Sequence, residues 1–501
     1  VTPAETLSFF KHDSIFKYPC RAVKDVNMKC RFYFSLLLAC CAGISVPSVQ
    51  AADGQANVVC SFSHMKPDDA ILMPGMPGMA MSHDFVGNRS TDAFSTAESL
   101  LLHSGTTCNN AADSTGYWAP TMMLPDGQVV NPAYIKIYYQ ANNVAQYPIT
   151  AYPHGLQLLA GDHRGSGPNP QVNFLCANGN GYTHTADQTC GLRSAGDAVQ
   201  FNIAVMFPNC WDGVNLKAKG TKNAVYSDNS GKCPADHPVK IASVNMNIAY
   251  VLPQIQSLDV SKIKLSLDPQ MIDGQLTPLW GSIYTAHGDF MNGWTEDATK
   301  FMADRCMNYS MECSTNIPYS YTDAEADTYV SNQTDAENNY GSVPTLLVQD
   351  DWKNSSRDYH KQMLALIKFK IPASPPNVDD YPGVSFKYKI RIYNGNISDT
   401  SAFTIFFYPT TPDGWDENTV NWNNKPSFKY TADASLYMDN VQQFRYVDVD
   451  KAVRAAIAAG QTEVAYYIGG ERTGRTISVE AKESGKPPVL MLAGYQKVVE
   501  P

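Results

Sequence analysis

Cysteine placement constrains this 501-residue chain more than any other feature. Of its 12 cysteines, Cys20, Cys30, Cys40 and Cys41 lie near the N-terminus, eight fall between Cys60 and Cys313, and none follows. An even set of eight in an exported chain reads as a disulfide framework that covers only the front part. The rear part must rely on its own apolar core. Spacing leaves the connectivity open. We expect neighbours to pair: Cys60 with Cys108, Cys176 with Cys190, Cys210 with Cys233, and Cys306 with Cys313. A zinc site is the competing reading, but none of these eight forms a Cys-x-x-Cys pair.

Export is read from the N-terminus. Lys29 and Arg31 precede the apolar run Phe32 to Ala42, and Val49-Gln50-Ala51 is a small-residue cleavage site before Ala52. This is the order of a signal peptide. The natural start is expected at Met28, with Val1 to Asn27 an upstream extension; the bland alternative is a buried N-terminal helix. Leu37-Leu38-Ala39-Cys40 also resembles a bacterial lipoprotein box, which makes a lipid anchor at Cys40 a second route. Cleavage removes more basic than acidic residues, so the mature chain is more negative than the −10 of the whole sequence. That balance argues against a nucleic-acid partner. No later apolar run is long enough to span a bilayer. With 44% hydrophobic and 17% charged residues, the chain is neither disordered nor collagen-like.

The cysteine boundary divides the chain into a disulfide-bonded domain over 52–313, a polar linker over 314–325 and a second domain over 326–501. The front domain alternates strand-like runs (134–139, 199–207, 239–251) with long loops rich in Pro, Gly and Asn, and amphipathic helices are scarce. This predicts a mostly β fold with long surface loops. In the rear domain, Phe386, Tyr388, Ile390 and Ile392 alternate with Lys387, Lys389 and Arg391. A period of two with one charged face predicts a half-buried antiparallel strand. Further strands are expected over 363–371, 402–408, 464–468, 476–480 and 488–492. One helix is expected, capped by Asp450, with Val449, Val453 and Ile457 on one face and Gly460 at its end. The sum predicts a jelly-roll-type β-sandwich.

Several rear motifs occur in a specific order. They are Ala326-Asp327-Thr328-Tyr329-Val330, Asn339-Tyr340-Gly341-Ser342, the segment from Trp415 through Trp422-Asn423-Asn424 to Pro426, Val447-Asp448-Val449, and Lys482-Glu483-Ser484 before Pro487-Pro488. From about Ala326 to Tyr495 this order resembles the DNRLRE family of extracellular domains. The resemblance implies a β-sandwich attached to secreted polysaccharide-active proteins and similar to some carbohydrate-binding modules. Sugar rings present flat C–H faces that stack on aromatic rings. Trp415, Trp422, Tyr340 and Trp352 lie among Asn, Asp and Arg and are candidates for that contact. The alternative is that Trp415 and Trp422 anchor a long loop. Lys387, Lys389 and Arg391 would suit an acidic glycan, or form a plain solvated face.

The front domain carries Cys60-Ser61-Phe62-Ser63-His64, Asp68-Asp69-Ala70-Ile71, Pro77-Gly78, Ser82-His83-Asp84-Phe85, Tyr117-Trp118-Ala119-Pro120 and Tyr152-Pro153-His154-Gly155. Later come Phe207-Pro208-Asn209-Cys210-Trp211-Asp212-Gly213 and His287-Gly288-Asp289-Phe290-Met291-Asn292-Gly293-Trp294. This set resembles the secreted domain-of-unknown-function family numbered nineteen-ninety-six over roughly Cys60 to Cys306. The resemblance implies a domain boundary and no mechanism. Members usually show Ser-His-x-His, whereas Phe85 stands here at the second histidine.

Residue chemistry adds candidates. His83, His287 and Asp289 suit acid–base work, because a carboxylate can orient an imidazole and tune its proton affinity. Asp69 and Asp212 could instead flank a glycosidic bond as acid and base. A polysaccharide lyase or a glycoside hydrolase would follow. Tyr117, Trp118, Trp211 and Trp294 could line a sugar cleft. For each of these, the alternative is a buried group that satisfies loop backbone. Met73, Met76 and Met79 before His83 have thioether spacing that suits copper(I). Oxygen ligands near Asp327 and Asp335 could hold a structural calcium ion. No cofactor is required by any motif. The leading expectation is an exported protein acting at extracellular polysaccharide, which the front domain either cleaves or helps to hold. The rivals are a non-enzymatic matrix or adhesion protein and an exported copper binder.

Overall fold

The computed structural model describes residues 54–142, 148–333, 335–351, 361–397 and 403–498, with only the backbone of 396 and 397. The export segment, the Cys40 box and Trp352 lie outside these described residues. Among them, no helix is long and apolar enough to cross a membrane.

Nine strands build most of the front domain: β1 (Gln55–Lys66), β2 (His83–Gly87), β3 (Gly116–Pro120), β4 (Tyr134–Gln140), β5 (Gln157–Gly161), β6 (Val172–Cys176), β7 (Val199–Met206), β8 (Ser243–Leu252) and β9 (His287–Met291). Their order across the sheet is β5-β9-β3-β2-β1-β4-β8-β7-β6. The first half of β1 pairs with β4 and the second half with β2, with a register shift between Phe62 and His64. Such an irregularity bends a strand. β1 therefore serves both layers of a sandwich. Alternation fills the space between them: Val58, Ile135, Ile137 and Phe201 from one layer meet Val86, Tyr117, Leu158 and Phe290 from the other. The run 239–251 divides, because Val239–Lys240 pairs with Cys210–Trp211 before β8 begins.

Four disulfides staple this domain among the described residues: Cys60–Cys108, Cys176–Cys190, Cys210–Cys233 and Cys306–Cys313. All four are neighbour pairs.

The rear strands are β10 (Ser320–Asp323), β11 (Ala326–Ser331), β12 (Thr345–Asp351), β13 (Lys361–Lys370), β14 (Ser385–Ile397), β15 (Phe403–Thr410), β16 (Ala434–Met438), β17 (Phe444–Asp448), β18 (Glu463–Gly470), β19 (Thr476–Glu480) and β20 (Val489–Tyr495). They run β10-β20-β14-β19-β12-β13-β18-β15-β16, with β11 on β13 and β17 on β14. Long β14 pairs with β20 and β17 and then, from Asn394 onward, with β19, with a register shift between Asn394 and Ile397. It links the two layers as β1 does in front. Ala365, Ile367 and Phe369 face Tyr388, Ile390 and Ile392 across the core.

The helix forms over Asp450–Ala458, but Asp450 does not cap it. Its carboxylate accepts from the Tyr388 amide and pairs with Arg454. Val453 is buried, whereas Ile457 is exposed.

The sequence misleads at the junction. Residues 320–323, inside the stretch expected as a linker, form β10 and pair with β20. Alternate residues of β20 then enter different cores: Val489, Met491 and Ala493 join the front one, Leu490 and Leu492 the rear one. The outward face of β14 packs there too. Arg391 is only 1% exposed, so the expected solvated or glycan-facing strand face is not available at that residue.

Candidate functional site

Strands β2, β3 and β9 lie side by side, with β3 in the middle. Tyr117, Val86 and Phe290 point into the main core, while Trp118, Phe85 and Met291 point the other way. Strand alternation puts His83, His287 and Asp289 on that second face. It is covered by the segment carrying Ala70 and Ile71. The imidazoles of His83 and His287 meet edge to face, 5.8 Å between centroids. Gly161 pairs with His287, and a Cβ there would lie 2.6 Å from the His287 Cα. A glycine lets that strand pass.

The structure thus brings together three of the sequence candidates. His83 Nδ1 is 2.9 Å from the Asp68 carbonyl oxygen, and His287 Nδ1 is 2.8 Å from that of Thr285. His287 Nε2 lies 3.9 Å from Asp289 Oδ2. Burial pushes both imidazoles down to about 4. Burial, and then the nearby Asp69 charge, hold the Asp289 carboxyl well above its ordinary range. Asp69 belongs to the same neighbourhood: it too is raised by burial, and its Oδ1 accepts from the amides of Ile71 and Leu72. The His163 ring stands 6.2 Å from that of His287.

Asp212 is held in a tight turn. It accepts from the amides of Val214 and Asn215 and from the Asn215 side chain, which makes it a turn-former. Partial burial would raise its carboxyl, but those hydrogen bonds outweigh it and hold the group low.

Three of the four rings expected to line a sugar cleft in front are packed in the interior. Tyr117, Trp118 and Trp294 are 0%, 0% and 1% exposed. Tyr117 donates to Asp113 and shares a hydrogen bond with Tyr139, which also accepts from Trp294 Nε1. These rings hold the interior and offer no face to a ligand. Trp211 is half-buried and donates to the Asn215 carbonyl.

Met73-Pro74-Gly75-Met76 and Met76-Pro77-Gly78-Met79 form tandem turns, closed from Met76 to Met73 and from Met79 to Met76. Gly75 and Gly78 carry the positive φ that such Pro-Gly turns require. Met76 and Met79 are exposed, whereas His83 is buried.

In the rear domain, Trp415 and Trp422 pack half-buried against Val330, Leu364, Leu366, Val420 and Tyr467. Both anchor the loop after β15 to the outer sheet face. Lys368 lies over the Trp415 ring and Lys425 over that of Trp422. An open depression of about 420 Å³ borders Trp415, lined also by Asp416, Thr419 and Asn424. Beside it, the ring of Phe428 packs 4.5 Å from Tyr467, 5.4 Å from Tyr408 and 4.6 Å from Tyr430. Tyr430 is 62% exposed and its hydroxyl donates to Gln362. Sequence reasoning missed this run; the alternation Phe428-Lys429-Tyr430, just after Pro426-Ser427, was its signal.

Asp327, Glu417 and Glu483 also converge, but Lys482 lies among them, 2.5 Å from Glu417 and 3.8 Å from Glu483. Asp335 instead accepts from Ser331 and Tyr340.

Residues 318–494 match the model of carbohydrate-binding module family 96. The match supports carbohydrate binding by the rear domain. It starts just before β10, inside the stretch expected as a linker. Residues 69–294 match a domain of unknown function, DUF1996. No curated protein matches the chain. Within the family 96 match, Trp415, Trp422 and Phe428 are half-buried against the sheet, and Tyr430 is the ring of this loop that is mostly exposed.

Proposed function

We propose that this is an exported protein that binds extracellular polysaccharide through the outer sheet face of its rear sandwich. Tyr430, Phe428 and Tyr408 form the stacking platform, and the polar groups beside them fix the sugar hydroxyls. One observation carries this reading: the family 96 match covers a sandwich whose ring cluster ends in the exposed face of Tyr430. Stacked aromatic faces and nearby amides are what a sugar needs. Four disulfides support an oxidising compartment.

Binding without cleavage is the reading the front domain favours. Its His–Asp cluster lies beneath the surface, where a polymer does not reach. Affinity electrophoresis of the full chain through gels holding alginate, pectin or β-glucan, with and without calcium, tests the proposal. Retardation in at least one gel, weakened about tenfold by Tyr430→Ala, is expected. Unretarded migration in every gel would refute it. Release of reducing ends or of unsaturated uronates would instead make the protein an enzyme.

A further inference from the structure

Three hydrogen-bond acceptors converge beneath the Asp68–Leu72 cover. A carbonyl oxygen carries no proton, so the contacts of His83 and His287 to Asp68 and Thr285 require Nδ1–H on both rings. Each neutral imidazole then turns a bare Nε2 lone pair inward. There they meet the Asp289 carboxylate; ligand atoms of the three residues lie within 4.8 Å of one another. His83 Nε2 and Asp289 Oδ2 are buried with no hydrogen-bond partner, in residues that are each 1% exposed.

Leaving such groups unpaired is costly. A proton on Asp289 would satisfy one imidazole and leave the other bare. A single divalent cation satisfies all three lone pairs and also offsets the charges of Asp289 and neighbouring Asp69. The donor set selects the ion. Two imidazole nitrogens and one carboxylate suit zinc and its first-row neighbours, whereas calcium and magnesium prefer oxygen and copper(I) prefers sulfur. Backbone carbonyls that hold the far Nδ1–H of each ring are the outer-shell arrangement that orients ligand histidines.

We propose that His83 Nε2, His287 Nε2 and the Asp289 carboxylate bind one divalent transition ion of the zinc class. The site is independent of the glycan face. It joins β2 to β9 across β3 and leaves at least one coordination position unfilled by these ligands. Phe85, on the same face of β2, makes no donor of its own.

The test uses the full chain, stripped with a chelator and titrated with Zn²⁺, or with Co²⁺ as a visible probe. One tightly held ion per chain is expected. X-ray absorption at the zinc edge should show imidazole and oxygen ligation without sulfur. Asp289→Asn and His287→Ala should each weaken binding about 100-fold or more, with near-ultraviolet circular dichroism as the folding control. Leu at Met73, Met76 and Met79 together should change nothing. Failure to take up Zn²⁺, Co²⁺, Mn²⁺ or Fe²⁺ stoichiometrically would overturn the proposal and leave a protonated Asp289 as the reading. Sulfur ligation, or unchanged affinity in folded variants, would overturn it as well. If the variants do not fold, the ligand signature of the wild-type ion decides alone.

Discussion

The guanidinium carbon of Arg391 sits 3.4 Å from the centroid of the Phe444 ring, at the junction where front and rear domains share β20. Phe301 of the front domain lies on it as well, at 4.9 Å. Its Nη2 donates to the Arg305 carbonyl, while Nε and Nη1 find no partner. Burial pushes its pKa down to about 10, so it stays charged at neutral pH. Such a group contributes packing by its stem and ring contacts and pays desolvation for its charge. Arg391→Met should therefore melt no lower than the wild type. Arg391→Ala should lose about 2–3 kcal/mol through the void it leaves. Thermal unfolding of the two variants side by side checks this. An equal loss in both would show that the charge itself stabilises the junction.

Asp113 accepts from the Tyr117 hydroxyl and the Thr115 amide in a fully buried network. Burial raises its carboxyl from 3.8 to about 7. The folded state therefore holds a proton that the unfolded chain releases between those values. Its stabilising contribution is complete below pH 3.8 and is lost as pH rises toward about 7. The slope from this one group is at most about 1.4 kcal/mol per pH unit. Melting temperatures measured from pH 4 to pH 8 should fall less steeply in Asp113→Asn than in the wild type. Parallel curves would count against the assignment.

Trp415 and Tyr430 should separate stability from binding. Trp415 packs against Val330 and Leu366 and carries Lys368 on its ring, so Trp415→Ala should cost about 3 kcal/mol. Tyr430 is mostly exposed, so Tyr430→Ala should leave the melting temperature nearly unchanged while weakening glycan retention. Loss of retention only in a destabilised Trp415→Ala would move the platform to the Trp415 depression.

The disulfides close loops of different length. Cys60 and Cys108 are separated by 48 residues, Cys306 and Cys313 by 7. Loop-closure entropy gives about 4 kcal/mol for the first and about 2 for the second. The paired change of Cys60 and Cys108 to Ala should depress the melting temperature more than that of Cys306 and Cys313. The reverse order would show that local packing outweighs chain entropy.

Local periodicity carried much of this architecture. Alternation along Phe386 to Ile392 places β14, and the run Tyr134 to Tyr139 places β4, because a strand exposes its two faces at a period of two whatever its neighbours are. The cysteine boundary separated a stapled domain from an unstapled one for an equally local reason. His83, His287 and Asp289 were legible as reactive types beside turns. Their convergence was not, since it depends on β3 lying between β2 and β9, which pairs Trp118 with both Phe85 and the distant Asp289. Burial was decided at the same level. Trp118 reads as a sugar-stacking ring in sequence yet fills a core, whereas Tyr430, which the sequence reading passed over, faces solvent. Arg391 shares the alternation of Lys387 and Lys389, yet only the packing of the front domain against β14 and β20 removes it from water. Propensity and spacing act within a few residues. Which face is covered, and by what, is settled by contacts between distant strands.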